Sequence, residues 1–131
     1  VWYPDYLDHP NGAKGVRGVV AIHHQPAEIV PPYQNIFGTR AVAVMEGQVR
    51  IDTGAGDIEF LTPAAYAERF PGVAPDPTAR APYLAALSID VADRSATAAY
   101  LNAHAIPHTV LPNGDLCIAP EHACGTLIAF V

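Results

Sequence analysis

Positive charge is scarce in this sequence. Only 7 residues are Lys or Arg, against 13 Asp and Glu, and the formal net charge is −6. The basic residues are scattered along the chain, so they form no patch that could neutralise a row of phosphates or an anionic membrane surface. Nucleic acid and membranes are therefore not expected as partners.

Long apolar runs and cysteines are also few. No uninterrupted apolar stretch approaches the roughly 20 residues that a bilayer-spanning helix needs. Two cysteines, Cys117 and Cys124, do not make a disulfide framework. A reducing, cytoplasmic location is therefore the expected one. The chain opens with Val1 rather than Met, so the lack of a visible secretory signal carries less weight.

The residues that are present suffice for one folded domain. Half of them are hydrophobic (50%) and only 15% are charged, a composition that argues against disorder. A chain of this length can bury roughly two thirds of its unfolded surface in a single core. The 13 prolines and 10 glycines fall mostly between periodic stretches, where they mark turns.

The chain contains an internal repeat. The segment IEFL at 58–61 is matched by IAFV at 128–131, and the segments 18–26 and 86–94 stand at nearly the same distance before them. Each of the two earlier segments reads as a strand and is followed by a short helical stretch and further strands. The sequence therefore predicts an α+β fold made of two tandem βαβββ units.

The boundaries of these units follow from proline and glycine. Residues 1–15 lack periodicity and are predicted to be a lead-in or linker, and the units are predicted at about 16–67 and 82–131. The tandem prolines Pro31 and Pro32 are expected to break helical hydrogen bonding, so that only a helical turn or two over 33–37 can follow, ending at Gly38. Predicted strands cover 16–24, 40–46, 48–52, 57–61, 84–91, 108–111, 115–119 and 126–131, and an extended linker covers 68–80.

Strand alternation assigns side chains to two faces of the predicted sheet. A hairpin turn at Gly54 and Ala55 would place Arg50 across from Glu59 and Asp52 across from Asp57, all on the polar face. Two opposed aspartates repel each other unless a cation or a nearby arginine offsets them. The first unit is therefore predicted to present a charged face to the space between the units.

The second unit is predicted to present a less charged face to the same space. A two-residue turn at Asn113-Gly114 would place Val110 opposite Cys117. The neighbouring strand contributes Asp90 to the face that also holds His108. If the two halves of the sheet curve towards each other, these residues line one shared cup.

This architecture resembles the vicinal oxygen chelate superfamily, which includes glyoxalase I, extradiol dioxygenases and bleomycin-resistance proteins. The resemblance rests on the repeat, on the segment HPNGA at 9–13 and on the closing pattern from Gly114 to Phe130. It covers residues 16–131 and is closest to the glyoxalase-like branch. It implies a U-shaped, eight-stranded cup that binds a small organic molecule.

The resemblance also implies where a metal would be held. In the metal enzymes of the superfamily, residues of the first and last strands of each unit bind a divalent cation. Those four positions fall here at Gly18, Glu59, Ala86 and Ala129, and only Glu59 has a donor atom. Three protein ligands are usual in a catalytic metal site. The sequence therefore predicts a cup without the metal and with no other cofactor.

The leading hypothesis is a metal-free cup for a small, mostly apolar molecule, which would contact a few polar side chains and an apolar wall. The predicted polar contacts are Arg50, Glu59, Asp90 and His108. The predicted wall and its neighbours comprise Val20, Ile22, Val110, Cys117 and Ala129.

Two alternatives stay open. A lyase, isomerase or dioxygenase-like enzyme would use Glu59 or His108 as its base, and a partner chain or an upstream segment could complete a metal site. In the non-catalytic interpretations, Glu59 pairs with Arg50 and His108 has no role. The second alternative is a dimerisation or interaction module of a longer chain, motivated by the non-Met start and the aromatics of residues 1–6. A homodimer is an expected assembly in this case.

Overall fold

The chain folds into the two predicted βαβββ units, and the computed structural model describes residues 8–73 and 82–131. The first unit contains β1 (Ala13–Ile22), α1 (Val30–Phe37), β2 (Val42–Met45), β3 (Gln48–Asp52) and β4 (Asp57–Leu61). A further helix, α2 (Pro63–Arg69), follows it. The second unit contains β5 (Tyr83–Val91), α3 (Arg94–Ala103), β6 (Thr109–Val110), β7 (Leu116–Ile118) and β8 (Leu127–Phe130).

All eight strands belong to one mixed sheet with the order β2-β3-β4-β1-β5-β8-β7-β6. The units join where β1 and β5 pair antiparallel at the centre. In each unit the last strand runs parallel to the first, and Gly18 pairs with Asp57 as Ala86 pairs with Leu127. The predicted α+β fold of two βαβββ units is therefore confirmed.

Helices α1 and α3 cover one face of the sheet, which we call the outer face. Ile29, Val30 and Tyr33 pack on Val42, Val49 and Ile51 in the first unit. Leu101 of α3 packs with Leu116, Ile118 and Phe130 in the second. The opposite, inner face is the inside of the cup. None of the helices in the described part of the chain is long and apolar enough to cross a membrane.

Helix α2 covers one end of the inner face, where β1 and β4 finish. Tyr66 and Phe70 are buried there, in one cluster with Val20 and Ile22 of β1 and Leu61 of β4. The Tyr66 hydroxyl donates a hydrogen bond of 3.3 Å to the Ala85 carbonyl oxygen. This end of the cup is therefore a packed core.

Helix α2 is not predicted from the sequence, and its last residues fall in the predicted linker 68–80. Thr62 caps the helix, because its hydroxyl oxygen accepts a hydrogen bond of 3.2 Å from the Ala65 amide. Pro63 occupies the first helical turn, where no intrahelical acceptor exists for an amide. Residues 74–80 of the predicted linker, and residues 1–7 of the lead-in, lie outside the described ranges.

The expectation that Pro31 and Pro32 break the first helix is wrong. Both lie in the first turn of α1, where backbone amides have no partner within the helix, so the missing donors cost nothing. The predicted end of the helix is confirmed: α1 ends at Phe37, and Gly38 follows with a φ of 87°. The first strand also begins earlier than predicted, because Ala13 to Gly15 of the predicted lead-in already belong to β1.

The predicted pairing of Val110 with Cys117 is also wrong, by one residue. Val110 pairs with Leu116, and Thr109 pairs with Cys117. A two-residue loop would pair Pro112 with Asp115, but proline has no amide to donate. The Leu111 amide instead donates to the Asp115 carbonyl oxygen at 2.8 Å, which leaves a three-residue loop with Gly114 at a φ of 86°.

We expect Tyr66→Ala to lower the free energy of unfolding by about 3–5 kcal/mol, because it empties the centre of the inner-face core. Tyr66→Phe should cost only about 1 kcal/mol, the usual net contribution of one hydrogen bond. Ile36→Ala is the control, since Ile36 is 70% exposed. Urea denaturation measures all three variants, and a Tyr66→Ala protein as stable as the control would contradict the structural role of α2.

Candidate functional site

The open end of the inner face holds a cleft of about 280 Å³ that is lined mostly by charged side chains. Strands of both units and helix α2 contribute to it, so it lies between the two halves of the cup. An adjoining cleft of about 330 Å³ shares Arg17, Arg50 and Asp57 with it and adds Asp52 and Asp90. The first cleft is lined by Arg17, Gly18, Arg50, Asp57, Glu59, Arg69, Ser88, Asp115 and Val131. We call the two together the charged cleft.

Glu59 is held by donors from two neighbouring elements. Its carboxylate forms an ion pair with Arg69 of α2 and accepts a hydrogen bond of 2.8 Å from Gln48 Nε2. The predicted register of Arg50 across from Glu59 is confirmed. The guanidinium of Arg50, however, bonds elsewhere, so the Arg50–Glu59 ion pair considered from the sequence does not form.

Arg50 instead bonds Asp57, at 2.7 Å between Nη2 and Oδ2. This hydrogen bond and the negative charge of Asp57 raise the pKa of Arg50. The predicted opposition of Asp52 and Asp57 is confirmed. Their repulsion is offset by Arg50 on Asp57, while Asp52 Oδ1 accepts a hydrogen bond of 2.8 Å from the Gly54 amide.

Arg17 is the cation of the cleft that keeps its donors free. It is the extra residue of a bulge in β1, between the pairs Val16 with Ile89 and Gly18 with Ser88. Within residues 8–73 and 82–131, its side chain makes no ion pair or hydrogen bond. Its guanidinium is therefore available to a ligand.

The four positions of the superfamily's metal do not fit a cation here. A Cβ added at Gly18 would lie 2.6 Å from the Asp57 carbonyl oxygen, so the backbone leaves no room for a donor side chain. Ala86 and Ala129 have no donor, and Glu59 already accepts from Arg69 and Gln48. No three His, Cys, Asp or Glu side chains come together as metal ligands among the residues that the structure describes.

The two predicted bases lie in different clefts. His108 lines a separate hollow of about 190 Å³ together with Glu121 and His122. Its Nδ1 atom is 3.1 Å from the Ile106 carbonyl oxygen. Glu59 belongs to the charged cleft, so the structure does not bring these two residues together.

Most residues of the predicted apolar wall lie beneath α2. Val20, Ile22, Cys117 and Ala129 are buried in the cluster that contains Tyr66 and Phe70. Val110, in contrast, is 62% exposed on the edge strand β6. The contact of these residues with a ligand stays a prediction, whereas Arg50 and Asp90 do line the charged cleft.

Arg17, Arg69 and Asp115 line the cleft but are not predicted from the sequence. Arg69 was missed because the last residues of α2 fall in the predicted linker 68–80. Arg17 was missed because the bulge shifts its side chain off the alternation of the strand. A single arginine between Val16 and the apolar residues 19–22 is the signal that could have revealed it.

Comparison with known proteins shows similarity in structure only. No protein family model matches the chain, and no curated protein matches it. The methylmalonyl-CoA epimerase of Mycobacterium tuberculosis is 15% identical with a TM-score of 0.67, over 98% of this chain and 94% of that one. A Streptomyces coelicolor methylmalonyl-CoA epimerase with bound 2-nitronate-propionyl-CoA is 14% identical with a TM-score of 0.59, over 90% and 96%. At these identities the likeness shows the fold alone.

Burial makes the Cys117 thiol unreactive. Desolvation raises its pKa from 9.0 to about 12, so it stays protonated at neutral pH. We expect iodoacetamide to modify the exposed Cys124 in the native protein and to leave Cys117 unmodified, as read by peptide mass spectrometry. Denatured protein is the control and should label at both. Equal native labelling of the two cysteines would contradict the packed core around Cys117.

Proposed function

We propose that the charged cleft binds a small organic anion without a metal. The observation that carries the proposal is Arg17, a guanidinium with free donors beside the arginines Arg50 and Arg69. A guanidinium presents a planar fork of donors that matches a carboxylate or a phosphate. Arg50 and Arg69 already neutralise Asp57 and Glu59, so Arg17 supplies the positive charge that a ligand can use.

The acidic side of the cleft suggests what else the ligand carries. Asp90 lies in the same cleft as Arg17 and can accept a hydrogen bond from a hydroxyl or amine of the ligand. The cleft volumes of about 280 and 330 Å³ suit a small molecule or one end of a longer one. The epimerase with bound 2-nitronate-propionyl-CoA makes acyl-CoA esters the first compounds to test. A cytoplasmic location belongs to this proposal, because both cysteines are free thiols that a reducing compartment preserves.

We expect Arg17→Ala to weaken the binding of such an anion by roughly 10- to 100-fold, the usual effect of losing a charge-assisted hydrogen bond. Isothermal titration calorimetry with methylmalonyl-CoA and with simple dicarboxylates measures it. Lys14→Ala is the matched control, because this substitution removes one positive charge from the same strand but at a residue that does not line the cleft. Equal affinities of the Arg17→Ala and Lys14→Ala proteins would contradict the proposal.

The alternative is an isomerase that uses the same cleft. Two observations favour it: the similar structures include epimerases, and Glu59 shares the cleft with Arg17. Arg17 would hold the anionic end of the substrate while Glu59 removes a proton next to a carbonyl group. Arg69 and Gln48 both bond Oε2 of Glu59, which leaves Oε1 to take the proton in the part of the chain that the structure describes.

Proton abstraction predicts that the protein exchanges the α-hydrogen of methylmalonyl-CoA with D₂O. Glu59→Gln should then lower the exchange rate by about 100-fold or more, since a general base contributes at least that factor, while binding is retained. His108→Ala serves as the comparison, because His108 lies in the other cleft. Mass spectrometry follows the deuterium. Binding without any exchange by the unmodified protein would reject the isomerase and leave the anion-binding role.

A further inference from the structure

The outer edge of β2 is an unpaired strand edge with exposed apolar side chains. β2 stands at the end of the strand order, and no strand in residues 8–73 or 82–131 pairs with its outer side. Val44 is 58% exposed and Met45 is 49% exposed. Ile36 and Phe37, at the end of helix α1, add exposed apolar surface where α1 packs against β2. An exposed apolar edge of this kind is a template for pairing with another strand.

The backbone of β2 decides which registers are available to a partner. β2 and β3 are joined by the two-residue turn Glu46-Gly47, so Met45 and Gln48 form the closing hydrogen-bonded pair of the hairpin. Hydrogen bonding alternates along an antiparallel ladder, so Ala43 also bonds inward to Arg50. Val42 and Val44 therefore direct their amide and carbonyl groups outward, away from β3.

We infer that β2 pairs antiparallel with β2 of a second copy of this chain, across a two-fold axis at Ala43. In this register Val42 of each copy lies opposite Val44 of the other. All the outward amides and carbonyls of Val42 and Val44 then find partners, which gives four backbone hydrogen bonds. In a register shifted by one residue, the outward amides and carbonyls of one copy would face residues of the other copy whose amides and carbonyls point inward to β3. In a register shifted by two residues, half of the outward groups of Val42 and Val44 would have no partner.

Charge complementarity favours the same antiparallel arrangement. Arg40 lies in the 3-10 turn Thr39–Ala41 just before β2, and Glu46 lies in the turn just after it. The two-fold axis brings the start of each β2 beside the end of the other, so Arg40 of one copy and Glu46 of the other come to the same end, and this happens twice. Arg40 and Glu46 are both exposed, and neither makes an ion pair or a side-chain hydrogen bond in the part of the chain that the structure describes. The apolar, hydrogen-bonding and charged groups of the edge are thus all compatible with this self-complementary arrangement.

This assembly goes beyond the proposed function and leaves the charged cleft open. The cleft is lined by β1, β3, β4, β5 and α2, and β2 contributes no residue to it. The second copy extends the sheet outward from the first unit. Anion binding and self-association are therefore separate properties, and the failure of one does not imply the failure of the other.

Charge reversal tests the pairing of Arg40 with Glu46. Sedimentation velocity across a wide concentration range measures the dimer dissociation constant of the full chain. We expect Arg40→Glu and Glu46→Arg each to weaken the dimer by roughly tenfold or more, because each turns two attractions into two repulsions. The double variant and an equimolar mixture of the two single variants should both regain dimer, since in each case every opposed pair is again of opposite sign.

Edge-specific substitutions test the role of β2 independently of charge pairing. Val44→Lys should abolish the dimer, whereas the same change at Val110, on the edge strand β6, should leave it unchanged. Val44→Pro removes one outward amide, which an edge strand tolerates, and should also give monomers with unchanged circular dichroism. A protein that is monomeric at every concentration overturns the inference. So does a dimer that survives Val44→Lys, or one that Val110→Lys disrupts.

Discussion

Tyr66 and Phe70 pack on the inner face of the sheet, and this contact decides which part of the cup stays open. Without it, the apolar side chains of Val20, Ile22 and Leu61 would face the same space as the charges of β3 and β4. The contact closes one end as core and leaves the polar end as a cleft. It also brings Arg69, one turn further along α2, to the carboxylate of Glu59. A single short helix thus contributes both to the stability of the fold and to the shape of the site.

The electrostatics of the open end follow from this geometry. Arg50 and Arg69 are each committed to one carboxylate on β4, and these carboxylates are largely shielded from water, at 13% exposure each. A charge that leaves water needs a partner, so these pairs are fixed parts of the cleft wall. Arg17 is displaced from the ladder by the bulge and has no such partner in the described ranges. The positive charge available to a ligand is therefore set by backbone geometry rather than by the number of arginines.

Strand alternation and the repeat were sufficient to predict the parts of the structure that depend on backbone periodicity. The registers of Arg50 with Glu59 and of Asp52 with Asp57 follow from period two and one hairpin turn, and both are confirmed. Helix α2 was missed because it is short and its signals, a Thr-Pro start and two aromatic residues, are weak in isolation. Arg50 bonds Asp57 rather than Glu59 because of its side-chain rotamer and because Arg69 already pairs with Glu59. The alternation of residues along a strand carries no information about either. Val110 pairs with Leu116 rather than with Cys117, which shows that the missing amide of Pro112 can outweigh a strong turn sequence.

The two halves of the cup have diverged in chemistry while they keep one register. Val20 pairs with Glu59 in the first unit, and the equivalent pair in the second is Ser88 with Ala129. At these paired positions the first unit therefore presents charge, whereas the second presents small side chains that let the sheet pack beneath α2. At Gly18 the divergence is fixed by the backbone, because the Asp57 carbonyl oxygen occupies the space of any side chain. Introducing a metal ligand there would require β1 and β4 to separate, which would break the parallel pairing that holds the unit together. The positions that the resemblance assigns to a metal are thus taken up by backbone contact, by an arginine–carboxylate pair and by side chains without donors.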